Sequence, residues 1–138
     1  MREPLSIETL QIPSSTAELE QVDNMTEQIA RDMGFSDDAR ADLGICVTEA
    51  VNNAIVHGHK EDASIPIDIR FERFSDQLRI IIRDYGSGFV EGDVPNPTEP
   101  ENLLKVNGRG IHLIRALMDD VEIHPLDVGT EVIMVKRK

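Results

Sequence analysis

Only one cysteine, Cys46, occurs among the 138 residues, so the chain cannot close an internal disulfide. No run approaches the roughly 18 consecutive apolar residues a membrane helix needs, and the N-terminus has no apolar segment resembling a signal peptide. A cytoplasmic protein with no membrane association is expected, in which the Asn24-Met25-Thr26 sequon is without meaning. Basic residues are also scarce. Lysine and arginine total 14 against 26 aspartates and glutamates, a net charge of -12. Nucleic-acid phosphates would be repelled by that field, and the basic Lys136-Arg137-Lys138 tail is too short to reverse it. No nucleic acid is expected as a direct partner.

Several signatures of common chemistries are missing as well. There is no Gly-x-x-x-x-Gly-Lys-Ser/Thr loop, and the glycines at 86, 88 and 92 miss the dinucleotide spacing and precede a proline-rich stretch where that fold needs a helix. No Gly-x-Ser-x-Gly elbow supports a serine hydrolase. His57, His59, His112 and His124 have no zinc-like spacing, and one cysteine cannot complete such a site. No internal repeat or low-complexity segment is present.

What the chain does have is the content of one globular domain over residues 1–138, with 40% hydrophobic residues. Leu5 to Ile12 alternates as a first strand, expected at a sheet edge. Ser15-x-x-Glu18 has the form of a capping box, and Leu19, Val22, Met25, Ile29 and Met33 keep helical spacing until Gly34, which predicts a helix over Thr16–Met33. Ser36 with Asp37 and Asp38 suits the start of a second helix, with Leu43, Val47, Ala50 and Ala54 on its core face and an end near Gly58. Ile65–Phe71 and Leu78–Arg83 alternate as strands joined through Ser75-Asp76, Pro66 favouring a strand start or edge. Glu91–Asn107 holds three prolines and reads as a long loop, a length typical of lids and binding elements. A last helix over Gly110–Met118 should carry Ile111, Leu113, Ile114, Leu117 and Met118, before strands at Val121–Ile123 and Thr130–Val135 with a turn near Asp127-Val128-Gly129. These elements predict an α+β, two-layer sandwich whose mixed, mostly antiparallel sheet is covered on one face by about three helices.

Chemistry concentrates in three segments. Glu49, Asn53 and His57 recur at i, i+4 and i+8, which places them on one ridge of the second helix. Flanked by Ile45, Ala50, Val51 and Val56, Glu49 is expected to lose hydration, a cost that a purely structural helix avoids. Asp84 ends a strand and leads into Gly86 and Gly88, where the backbone can approach a ligand. Asn107-Gly108-Arg109-Gly110 opens the last helix and offers free amides to an anion such as phosphate. Each segment alone also has an ordinary structural explanation: a polar stripe, a turn and a loop.

Their order and spacing, completed by Gly129-Thr130 before the last strand, resemble the Bergerat ATP-binding fold of the GHKL superfamily. Over essentially the whole chain from about Leu5, the sequence is most similar to the small anti-sigma-factor serine kinases of bacterial partner-switching systems. Glu49 to Gly58 matches that family's N box, and the interval between Gly88 and Gly108 is short, as theirs is. The resemblance implies ATP and ADP as ligands, with Asp84 accepting the adenine amine, Gly86 and Gly88 against base and sugar, and Thr130 supporting the adenine contact. It implies Asn53 as the Mg2+ ligand, Gly108, Arg109 and Gly110 at the terminal phosphates, and Glu49 as the base that takes the proton of an attacking hydroxyl. Thr130 is equally a β-branched strand residue and Arg109 a solvated loop cation. His57 either orients Glu49 or the metal waters, or is a satisfied helix-end histidine.

The implied function is an ATP- and Mg2+-dependent serine kinase that phosphorylates an anti-anti-sigma (STAS-type) antagonist and sequesters a sigma factor, as a homodimer. Two alternatives are a nucleotide-dependent binding switch without phosphotransfer and a detached histidine-kinase catalytic domain. Retention of both Glu49 and Asn53 favours the kinase over the switch. No dimerisation helix with a phospho-acceptor histidine is seen for the third.

Overall fold

The computed structural model describes residues 3–58, 64–86 and 109–138, the side chains of residues 57, 58, 109 and 110 excepted. Strand β1 (Ser6–Pro13) leads through a short 3-10 turn at Thr16–Glu18 into helix α1 (Leu19–Asp32), and helix α2 (Asp37–Asn53) follows. Strands β2 (Pro66–Arg73) and β3 (Gln77–Arg83) form a hairpin, and helix α3 (Arg109–Leu117) precedes β4 (Asp120–Pro125) and β5 (Thr130–Arg137). In this α+β sandwich the five strands lie in the order β1-β2-β3-β5-β4, and every described pairing is antiparallel. The mixed character expected of the sheet is not found among the described residues: all four ladders are antiparallel, because β5 is inserted between β3 and β4.

Local chemistry accounts for most boundaries. Pro13 lies opposite Pro66 at the end of the β1–β2 ladder, where neither nitrogen can donate. Gly34, at φ +84°, closes α1 with its N–H on Arg31 and the Phe35 N–H on Ala30, the paired bonds of a Schellman cap. Ser36 caps α2 by accepting the Ala39 N–H at 3.2 Å, with Asp37 and Asp38 in the first turn. The capping box at Ser15 is only half realised. Its hydroxyl accepts from Ala17 and thus caps the 3-10 turn, while its own N–H, which Glu18 was to satisfy, donates to Pro13.

The sheet's inward row comprises Ile12, Ile67, Ile69, Phe71, Leu78, Ile80, Ile82 and Met134, all almost fully buried. Against it pack Val22 and Ile29 of α1, Leu43, Val47, Ala50 and Val51 of α2, and Ile111 and Ile114 of α3. Leu113, expected among the apolar positions of α3, is 40% exposed. α2 contacts both other helices, which makes it the centre of the helix layer. On the opposite face of the sheet Glu72 is buried between Arg70 at 2.9 Å and Arg79 at 3.5 Å. No described helix is long and apolar enough to cross a membrane.

Candidate functional site

Asp84 extends the inward row of β3, so a carboxylate takes the place that the Leu78, Ile80 and Ile82 alternation reserves for an apolar side chain. It is only 8% exposed. Burial pushes its carboxyl up from an ordinary value of 3.8 to about 6, opposed by the amides of Gly86 and Thr130 and by the charge of Arg83. Those two amides converge on one oxygen. Gly86 N–H donates to Oδ1 at 3.3 Å and Thr130 N–H at 3.2 Å, while the Asp84 N–H donates to the Thr130 carbonyl at 3.0 Å. The resemblance gave Gly86 a place against base and sugar; the structure commits its amide to fixing the carboxylate.

The next residue braces this strand end from the other face. Tyr85 hydrogen-bonds through its hydroxyl to Asp68, which also accepts from Gln11 at 2.8 Å, and Arg83 lies 4.7 Å from the Tyr85 ring centroid. The hydrogen bond to Asp68 also raises the Tyr85 hydroxyl above its usual range.

Gly129 entered the sequence pattern only as the glycine before Thr130 and was given no role in the site. It precedes Thr130 with φ +81°, and a Cβ built on it would lie 2.0 Å from the Asp84 carbonyl oxygen. In the sequence it reads as a turn glycine, and nothing local reveals that the turn closes on a residue 45 positions earlier.

A second group lies on α2. Glu49 and Asn53 are one α-helical turn apart and both half-buried. The Asn53 Nδ2 is buried with no hydrogen-bond partner among the described residues, which is unusual for a carboxamide. Two expectations about this ridge are corrected. Ile45 and Val56 are 47% and 37% exposed, so they do not enclose Glu49. Past Asn53 the helix widens into a π-turn over Ala54–Gly58, so His57 does not continue an α-helical ridge. Cys46, on the same helix, is fully buried and its thiol is pushed up to about 11, as befits an unreactive core residue.

The backbone of Arg109 and Gly110 begins α3, as expected of a helix start. Gly88, Gly108, the loop Glu91–Asn107 and the side chains of His57 and Arg109 lie outside the described residues.

A magnesium ion bridging phosphates takes oxygen ligands and keeps several waters, so few protein groups are required. The donor set fits that need. Among the described residues no three His, Cys, Asp or Glu side chains gather as a metal cluster. Asn53 offers a carboxamide whose buried nitrogen no described residue anchors, and its oxygen is an adequate single ligand.

Residues 12–136 match the histidine kinase-like ATPase domain family. The chain is 39% identical over 114 residues to the serine-protein kinase RsbW of Bacillus licheniformis, covering 78% of this chain and 71% of that protein. RsbW of Bacillus subtilis is 35% identical over the same length and at the same coverage. Among solved structures, the RsbU and RsbW domains of a Mycobacterium tuberculosis protein align over 97% of this chain with a TM-score of 0.67 at 17% identity, this chain spanning 32% of that one. A blue-light-activated histidine kinase of Erythrobacter litoralis aligns over 90% of this chain and 60% of its own, with a TM-score of 0.56 at 21% identity. These two likenesses establish the shared fold. The matches at 35–39% identity go further: the chain belongs to the histidine kinase-like ATPases and, within them, to the RsbW serine-protein kinases.

Proposed function

We propose that this serine kinase uses ATP with Mg2+ to phosphorylate a serine of an anti-anti-sigma (STAS-type) antagonist, and that it sequesters a sigma factor when not so engaged. The observation that carries the nucleotide half is the buried Asp84 carboxylate held on one oxygen by two backbone amides. Adenine presents an exocyclic amine, and a fixed carboxylate is its complement. Thr130, at the start of β5, flanks the same contact.

Asn53 would hold the metal, which when bound neutralises charge on the phosphate oxygens. The amides of the first turn of α3, including that of Gly110, have no partner within the helix and suit the terminal phosphates. Glu49, one turn from Asn53, would accept the proton of the attacking serine. The serine specificity is supported by the similarity to RsbW serine-protein kinases, and the partners are those that the resemblance to the anti-sigma-factor kinases implies.

The decisive assay is incubation with labelled ATP, Mg2+ and the STAS-type proteins encoded beside this chain. Phosphoserine on one of them is expected. Nucleotide binding without transfer would establish the binding-switch reading instead, and phosphohistidine would establish the histidine-kinase reading.

Asp84 also makes nucleotide affinity depend on pH in a definite direction. In the free protein a carboxyl raised to about 6 favours the fold most below its ordinary range, and that contribution is lost as pH rises through about 6. Binding runs the opposite way. A proton on the oxygen facing adenine sets a donor against the amine, so ADP affinity should fall below pH 6, by up to about tenfold per pH unit for one linked proton. The ADP phosphate titrates in the same region. Asp84→Asn supplies the baseline, because it keeps the phosphate and removes the carboxyl. Its amide must set its NH2 group either against Gly86 and Thr130 or against adenine, so ADP should bind roughly tenfold more weakly than to wild type at pH 7.5. Calorimetric titrations from pH 5 to 8 that give parallel curves for the two proteins would remove Asp84 from the site.

A further inference from the structure

We propose that Gly129 is a positioning residue for adenine recognition, required without a side chain so that the β4–β5 turn can lie on Asp84 and deliver the Thr130 amide to its carboxylate. The inference rests on Asp84 being the adenine acceptor. An ideal Cβ at position 129 would stand 2.0 Å from the Asp84 carbonyl oxygen, 2.7 Å from its carbonyl carbon and 2.9 Å from Oδ1. The first two are backbone atoms tied into the sheet through the Asp84 N–H to Thr130 carbonyl bond, so no side-chain rotation relieves the clash. The turn itself must withdraw. Leu126 N–H donates to the Gly129 carbonyl at 3.0 Å, and Thr130 follows directly, so withdrawal carries the Thr130 amide away from Oδ1.

The fold contains its own control. Gly34 has nearly the same left-handed backbone, φ +84° against +81°, yet a Cβ there meets nothing within 4 Å among the described residues. An alanine therefore suffers the same conformational strain at both positions and touches Asp84 only from 129. The comparison separates the cost of positive φ from the cost of moving the carboxylate's donor.

The test measures binding of ADP and of its 6-deamino analogue, purine riboside diphosphate, to wild type, Gly129→Ala, Gly34→Ala and Asp84→Asn, each shown folded by circular dichroism. The analogue keeps the phosphates, sugar and ring but lacks the amine. Gly129→Ala should weaken ADP by about tenfold, the range for a misplaced buried partner, while the analogue changes less than threefold and Gly34→Ala leaves both unchanged. In an Asp84→Asn background the further change from Gly129→Ala should vanish, since both act through one contact. Equal loss for ADP and analogue, or unchanged ADP affinity, would overturn the role of Gly129. If instead Asp84→Asn itself leaves ADP binding intact, the adenine assignment fails and not merely the role of the glycine. Should Gly129→Ala not fold, Gly129→Asn brings the same Cβ in a residue that tolerates the left-handed region and is read by the same criteria.

Discussion

Glu49→Ala should lower phosphotransfer to the antagonist serine by about 10²–10⁴, the usual consequence of losing a general base, while ADP affinity stays within about an order of magnitude. The split between the two readouts is what identifies the role. Glu49 is half-buried on α2, one turn ahead of Asn53, whereas the group around Asp84 belongs to the ends of β3 and β5. A group that only shapes the pocket would change binding and transfer together. One that takes a proton as the serine oxygen attacks contributes only in the transition state, and a loss of that size is about 3–5 kcal/mol of barrier. The competing account is a helix polar residue of no chemical consequence, for which substitution moves stability by less than about 0.5 kcal/mol and transfer not at all. Single-turnover transfer with saturating ATP, beside an ADP titration, distinguishes them. Transfer within threefold of wild type would take Glu49 out of the mechanism.

How much of this arrangement was visible in the residues depends on the range over which the cause acts. The strands were legible because alternation is a local signal: Leu78, Ile80 and Ile82 point inward and Arg79 and Arg83 outward, as the pattern required. Caps at Gly34 and Ser36 were legible for the same reason, each being set by one residue and its near neighbours. The π-turn after Asn53 was not. Ala54-Ile55-Val56-His57-Gly58 reads as more α-helix, since Ala50, Val51, Ala54 and Ile55 keep the spacing of one buried helical face, and no residue in the run marks where the turn widens. The contact of Gly129 with Asp84 was illegible because the two meet only through the β3–β5 register. Asp84 itself was singled out because it ends a strand and leads into Gly86 and Gly88, with its adenine role supplied by the family resemblance, and both signals lie within a few residues of it.

The largest stability effect is expected from Phe71→Ala. Phe71 is fully buried at the middle of β2, opposite Glu8 of β1 and Ile80 of β3, on the inward face on which the helices pack. Removing a buried aromatic ring loses its transfer free energy and leaves a cavity that the two neighbouring strands cannot collapse into, about 3–5 kcal/mol in comparable cores. Against a total of about 5–15 kcal/mol for a domain, that is a large fraction, and the midpoint of thermal unfolding should fall by roughly 10–20 °C. The urea midpoint should fall with little change in slope, because the surface exposed on unfolding is nearly the same. Nucleotide recognition should be spared. Asp84 is held by Gly86 and Thr130 at the strand ends, and Phe71 makes none of those bonds. In the folded variant ADP should therefore bind as in wild type, and ADP at a thousand times its dissociation constant should restore about 4 kcal/mol to both proteins alike. A loss of stability below about 1 kcal/mol would mean that β2 is not the centre of the core. A tenfold loss of ADP affinity in the folded variant would mean that the site depends on packing at mid-sheet, and the separation drawn between the strand-end contacts and the core beneath them would not hold.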